Sequence, residues 1–232
     1  VLRGYPMMTT TTTTTMTGQA SAAGSLEERP DAAGAMRIGP HRLLCGDLTC
    51  GAVSTLMGDE RADEVYSDPP WGPGNQTYWH TMRERGSAPR TPWPDFLRSF
   101  CESVRDHRKL TAPVFVEMGL RWERDLLAAM AEVGLPHVWT QRVVYGAPKL
   151  PNLLLLFGAR VDVDVEGMGG KAMTRKVLEA CVLPGHIVLD PCTGLGMTAR
   201  FADDLGAAFR GCELNPKRLD VTASLLRRRH GE

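Results

Sequence analysis

From Met36 onward, short apolar runs alternate with stretches of helical periodicity. Arg42-Leu43-Leu44-Cys45 reads as a strand ending at Gly46-Asp47, Ala52 to Met57 as a short helix, and Asp63 to Ser67 as a second strand running into a Pro-Pro turn. Trp93, Phe96, Leu97, Phe100 and Val104 recur at helical spacing behind a Thr91-Pro92 start signal. Pro113 to Met118 predicts a buried strand; Trp122, Leu126, Met130 and Val133 line one face of the next helix, with Gly134 as its stop. His137 to Tyr145 and Asn152 to Gly158 predict two more strands, and Arg175 to Val182 a helix closed by Pro184-Gly185. His186 to Leu189 then reads as a strand, Met197 to Leu205 as a helix and Ala208 to Glu213 as a strand. The last helix starts at the N-cap Asn215, with Pro216 where its missing N–H costs nothing. Strands and helices alternating at this length imply an α/β fold around a mostly parallel sheet.

The segment before Met36 has no such pattern. A threonine run, Thr9 to Thr15, leads into a Gly/Ala/Ser/Glu-rich stretch reaching Ala35. It has little to bury, so residues 1–35 are expected to be a disordered tail and 36–232 the folded domain. A later start at Met7, Met8 or Met16 stays open. With 43% hydrophobic and 23% charged residues the domain reads as soluble and globular. The formal net charge of +0 means that any nucleic-acid contact must come from a local basic face. The longest apolar run, Leu153 to Phe157, suits a buried strand; neither a membrane span nor a secretory signal is expected. The cysteines, Cys45, Cys50, Cys101, Cys181, Cys192 and Cys212, form no Cys-x-x-Cys pair, so no metal site is expected. They read as thiols of a reduced, cytoplasmic compartment.

Two segments carry candidate chemistry. Ile187 to Ala199 is a strand, a loop containing Asp190-Pro191-Cys192-Thr193-Gly194-Leu195-Gly196, and a helix, and Glu213 ends the following strand. Glycines there permit close backbone approach to a ligand, and Glu213 is placed to bind ribose hydroxyls. A dinucleotide competes for this pattern, but its fingerprint puts the first glycine almost directly after the strand, with amides facing a pyrophosphate. Here Asp190 at the strand end would repel a pyrophosphate and suit an ammonium. S-adenosylmethionine, with an amino-acid group, a ribose and no phosphate, fits better. A glycine turn with only a structural role is the third reading.

The second segment is Asp68-Pro69-Pro70-Trp71, just beyond a strand. An exocyclic amino group on a nucleic-acid base is a poor nucleophile because its lone pair is delocalised into the ring. A carboxylate (Asp68) and a backbone carbonyl (Pro69), each accepting one N–H, localise that lone pair. Pro69 and Pro70 fix the backbone, and Trp71 offers a face for an extruded base. The plain alternative is an ordinary turn, since Asp and Pro are turn formers.

Together these motifs resemble the amino-methyltransferases of DNA that make N6-methyladenine or N4-methylcytosine. The catalytic loop precedes the cofactor loop by more than 100 residues, which resembles the permuted β-class. The likeness runs from about His41 to the C-terminus. It implies a seven-stranded, mostly parallel, Rossmann-like sheet with one antiparallel strand, helices on both faces, S-adenosylmethionine as cofactor and a flipped DNA base as substrate. Leu43 to Asp47 is similar to the strand whose acid, here Asp47, reaches the cofactor's adenine. Gly170-Lys171 resembles the segment before the cofactor loop. Asp190, Pro191, Cys192, Thr193, Gly194, Gly196, Glu213 and Asn215 match the cofactor-binding strands. Three departures stand out: Cys192 where phenylalanine is common, Ala172 where proline follows the lysine, and a short candidate recognition insert, 72–110, much of which reads as one amphipathic helix. Its brevity implies weak sequence specificity or a specificity shared with a second subunit, a homodimer partner or an accessory chain. Asp68 favours adenine N6 over cytosine N4, where serine is more frequent. RNA methylation and a catalytically silent nucleic-acid-binding subunit remain alternatives.

Arg83, Arg85, Arg90, Arg98, Arg105, Arg108 and Lys109 make the insert locally basic, either for phosphate contact or as a solvated helix face interleaved with Glu84, Asp95, Glu102 and Asp106. Arg227-Arg228-Arg229 suits the negative end of the last helix. Asn75, Gln76, Tyr78 and Trp79 either touch the flipped base or order the loop. Trp93, Trp122 and Trp139 read as core, and His80 and His107 are assigned nothing.

Overall fold

The computed structural model describes residues 31, 34–84, 91–146 and 149–231. Nearly all of the expected N-terminal tail lies outside the described residues. The strands are β1 (Met36–Ile38), β2 (His41–Cys45), β3 (Glu64–Ser67), β4 (Pro113–Met118), β5 (His137–Tyr145), β6 (Leu150–Gly158), β7 (Ile187–Asp190) and β8 (Ala208–Glu213). The helices are α1 (Ala52–Met57), α2 (Gly72–Glu84), α3 (Trp93–His107), α4 (Glu123–Glu132), α5 (Gly170–Glu179), α6 (Met197–Asp204) and α7 (Pro216–His230).

The strands form one mixed sheet in the order β1-β2-β8-β7-β3-β4-β6-β5. From β2 to β4 every pairing is parallel, whereas β1–β2, β4–β6 and β6–β5 are antiparallel. The expectation of seven strands with one antiparallel is therefore corrected, among the described residues, to eight in a mixed sheet. The added edge strand, Met36-Arg37-Ile38, doubles back through Gly39-Pro40 and is too short to display a period of two.

Leu153 to Phe157 shows why the apolar run is unbroken. Leu153, Leu155 and Phe157 enter one core with α1, α3 and α4, while Leu154 and Leu156 enter a second core with α5, α6 and α7. A strand covered on both faces has no reason to alternate. Among its described residues, the segment 72–110 holds the expected amphipathic helix, α3, and a further helix, α2. Of these, α3 buries Trp93, Phe96, Leu97, Phe100 and Val104 and so serves as the β3-to-β4 crossover. Much of the candidate recognition insert is thus part of the sheet's cover. α5 begins at Gly170, five residues ahead of the expected Arg175. Asn215 caps α7 as expected, accepting from the Lys217 amide at 3.0 Å.

The connections leaving β7 and β3 diverge, β7 leading to β8 on one side and β3 to β4 on the other. Such a switch point opens a crevice at the carboxyl ends of the strands. Both candidate motifs lie there.

Candidate active site

Ser67, the last residue of β3, donates from Oγ to Asp190 Oδ1 at 2.8 Å. This bond joins the two motifs across 123 residues of chain. Beyond it, the Trp71 indole N–H donates to Asp68 Oδ1 at 2.9 Å and the Trp71 backbone N–H to Asn75 Oδ1 at 3.0 Å. Gly72 follows at φ +84°, and a Cβ there would lie 2.1 Å from the Trp122 ring. Only glycine permits both the turn and the approach of α2 to Trp122. Trp71 meets Tyr145 edge-on, with ring centroids 4.6 Å apart.

Two adjoining pockets share the Asp68 side chain. The larger, about 810 Å³ including its open mouth, runs between Asp47, Leu48 and Phe96 on one side and Pro191, Cys192 and Gly194 on the other, with Glu213 and Pro70 completing it. The smaller is walled by Pro69, Trp71, Asn75, Trp79 and Tyr145. Arg218 borders both.

The larger pocket is acidic. Asp47 accepts from the Thr49 amide at 2.9 Å and its hydroxyl at 2.8 Å, which orients the carboxylate. Glu213 accepts the amides of Gly194 and Asn215, each at 2.8 Å, bridging the glycine loop and the start of α7. Burial raises the Asp68 carboxyl well above the usual carboxylate range and the nearby Glu117 raises it further, against the Trp71 hydrogen bond. Burial likewise pushes Glu117 up to about 7, although Tyr66 donates to it at 2.7 Å. Asp190 is pushed up to about 6 by burial, against hydrogen bonds from Ser67, Thr198 and the Cys192 amide. Arg218 acts against burial at two of these acids, Asp68 and Glu213.

The expected site residues divide into those that face a pocket and those that shape it. Asp47, Asp68, Pro70, Pro191, Cys192, Gly194, Glu213 and Asn215 line the larger pocket; Pro69 and Trp71 line the smaller. Asp190 is not on either wall: it is 3% exposed, and its Oδ1 accepts from Ser67 and from the Cys192 amide, which ties the loop to β3. Thr193 is buried, donating to the Asp190 carbonyl at 3.1 Å. Gly196, at φ +78°, faces α7, where a Cβ would lie 2.6 Å from Thr222 Oγ1. Lys171 is exposed at the start of α5, away from both walls.

Among the weighed residues, Asn75, Gln76 and Trp79 do line the pockets. Arg98, Arg105 and Lys109 are paired with Asp95, Asp106 and Asp63, and Arg108 donates to backbone carbonyls. The phosphate-contact reading thus gains nothing from these four; Arg85 and Arg90 lie outside the described residues, as does the side chain of Arg83. Arg229 binds Asp203 and Asp204, in line with the structural reading of the C-terminal arginines. Trp93 is buried and Trp122 packs on the same core. Tyr145 and Arg218 escaped the sequence reading. Tyr145 ends a patterned strand and Arg218 looks like any surface cation on a helix, so no local signal marks either.

No family model matches the sequence, and no curated protein matches it. Solved structures do share the fold. TTHA0409 of Thermus thermophilus, described as a candidate DNA modification methylase, aligns with TM-score 0.62 at 16% identity over 82% of this chain and 96% of its own. M1.HpyAVI in complex with SAM aligns at 0.59 with 12% identity over 79% and 98%. The PvuII DNA methyltransferase, cytosine-N4-specific, aligns at 0.58 with 13% identity over 79% and 85%. At these identities the likeness concerns the fold: a mixed α/β sheet of the kind found in DNA methyltransferases.

Proposed function

We propose that this protein transfers a methyl group from S-adenosylmethionine to the exocyclic amino group of a DNA base, adenine N6 in preference to cytosine N4. The observation that carries the reading is the position of Asp68 on the wall shared by the two pockets. One pocket suits the cofactor and the other an extruded base. The donor set fits the cofactor: Asp47 and Glu213 offer acceptors for an adenine amino group and ribose hydroxyls, while Leu48, Phe96, Pro191 and Cys192 supply apolar walls. Three carboxylates on that wall, Asp47, Asp68 and Glu213, disfavour the rival pyrophosphate. The structures similar in fold include TTHA0409 with S-adenosyl-L-methionine, at TM-score 0.60 and 16% identity, which supports the same assignment.

When bound, the cofactor supplies an electrophilic methyl group. The chain's own part is to prepare the nucleophile. Trp71 holds Asp68 Oδ1, leaving the second oxygen to accept an amino N–H, with the Pro69 carbonyl expected to take the other. Trp71, Tyr145 and Trp79 offer ring surfaces to the base and exclude water from it. The motif order supports a permuted β-class enzyme, with α2 and the rest of the 72–110 insert as its candidate recognition region. The scattered thiols suit a reduced, cytoplasmic compartment. A homodimer or an accessory chain would supply what so short an insert lacks.

The test is incubation with S-adenosylmethionine and DNA, followed by nucleoside mass spectrometry, with Asp68→Ala as control. N6-methyldeoxyadenosine from the wild type alone is the expected product. N4-methyldeoxycytidine would redirect the base assignment, which the fold likeness to a cytosine-N4-specific enzyme makes worth scoring. Product in RNA only, or cofactor binding without product, would overturn the reading.

A further inference from the structure

Arg218 has no part in the chemistry described so far, yet it borders both pockets. Among the described residues it is the one cation on either wall, against Asp47, Asp68 and Glu213. Its guanidinium carbon lies 4.2 Å from the centroid of the Trp79 ring. The Glu213 carboxylate is 3.9 Å from Nε, an ion-pair separation too long for a hydrogen bond. A Cβ on Gly194 would lie 2.8 Å from Nη2, so the guanidinium rests against the glycine loop. It is stacked, half-buried, and makes no hydrogen bond to any described residue, although arginine carries five donors in a planar fork.

Glu213 at 3.9 Å already offsets part of this charge, but the donors of the fork are unmet by the described residues. An oxyanion that arrives with the ligands can take them. Both ligands of the proposed reaction carry one: the cofactor's α-carboxylate and the phosphate flanking the extruded base. We propose that Arg218 is an oxyanion clamp at the seam of the two pockets. It positions a carboxylate or phosphate delivered by the ligands, while Trp79 holds the guanidinium plane. Planar guanidinium recognition of such groups is bidentate, which suits positioning as well as affinity. The clamp rests on the reading of these pockets as a cofactor and base site.

The experiment compares wild type, Arg218→Met and Arg218→Lys. Calorimetry gives affinities for S-adenosylmethionine and for its decarboxylated form, and steady-state assays give KM and kcat on DNA. If the carboxylate is the ligand, Arg218→Met weakens S-adenosylmethionine about 10- to 100-fold and leaves the decarboxylated form within about twofold, with partial rescue in Arg218→Lys. If the phosphate is the ligand, both cofactor forms bind as to wild type. The KM for DNA then rises about 10- to 100-fold at unchanged kcat, and its salt dependence weakens. Equal loss for both cofactor forms, the signature of a merely structural arginine, overturns the clamp, as does no change in either arm. Wild-type protein that binds no cofactor defeats the reading of the pockets and the clamp with it; wild type that binds, with indifferent variants, defeats the clamp alone.

Discussion

Two clusters of partly or fully buried charge can be set side by side. Toward the β1–β2 edge, Glu60 takes a bidentate grip from Arg210, with both contacts at 2.7 Å, and Arg210 also donates to the Pro40 carbonyl at 2.8 Å. The Arg210 hydrogen bonds hold the Glu60 carboxyl below the usual range. For Asp203, burial acts upward, but hydrogen bonds from Arg229, His230 and His41 keep it lowered. At the crevice the outcome is reversed: Asp68, Glu117 and Asp190 are all raised, chiefly by burial, with Arg218 as the only cation on the pocket walls among the described residues. A fold that pairs its acids so thoroughly at one edge leaves them short of cations at another. That difference locates the place where an incoming cation completes the electrostatics.

The largest expected effect is on catalysis. Asp68→Asn keeps the side chain's shape but removes the charge and should lower turnover by about 100- to 10,000-fold. Its melting temperature should stay level or rise, because an under-compensated carboxylate has gone. A fall in stability with turnover intact would erase the contrast between the clusters. At the other cluster the same logic predicts the opposite. Arg210→Met strands Glu60 and should cost about 2–4 kcal/mol in denaturant unfolding, at the lower end because Glu60 is partly exposed.

The pH dependence sharpens the comparison. A carboxyl whose folded pKa is raised binds its proton more tightly in the native state. It therefore destabilises the fold increasingly as pH rises from its unfolded value toward its folded one. For Glu117 that window runs from 4.5 to about 7, and for Asp190 from 3.8 to about 6. Glu60 and Asp203, with lowered values, stabilise at neutral pH and lose that contribution as pH falls through the folded values. Glu117→Gln should flatten the decline in melting temperature between pH 4.5 and about 7 without altering the loss at lower pH. A cationic ligand should also release protons on binding near pH 6 to 7, the range of the raised Asp190 and Glu117 values. Calorimetry in two buffers of different ionisation enthalpy measures that release, and zero release would contradict it.

The smallest effects separate residues within one motif. Gly196→Ala should cost about 1–2 kcal/mol of stability for its left-handed backbone, with added strain against Thr222. Lys171→Ala should leave cofactor affinity within about twofold, as expected for an exposed side chain off both walls; a larger loss would bring Lys171 back to the site.

Most elements were legible because their signals are local. Pro113–Met118, Ala52–Met57 and Ala208–Glu213 have the bounds their apolar patterns indicate. The misses have local causes too. α2 carries glycines, a proline and polar residues without a clear apolar stripe, and the first turn of α5 opens with Gly170. In the site, Asp68 and Glu213 were recognisable from strand-end position and chemistry. Asp190 stands out in the same way, but its bond to Ser67 does not, since that hydroxyl lies on another strand.

By itself, then, the sequence determined the alternation of strands and helices and the acid-bearing loops at two strand ends. Periodicity, caps and turn residues act within a few positions of one another. Tertiary structure alone decided that β3 and β7 are neighbours, that Asp68 is shared by two pockets, and that Tyr145 and Arg218 join them. It also decided which acids were left without a cation. Burial and charge pairing depend on groups far apart in the chain, and only the assembled sheet brings those groups within reach of one another.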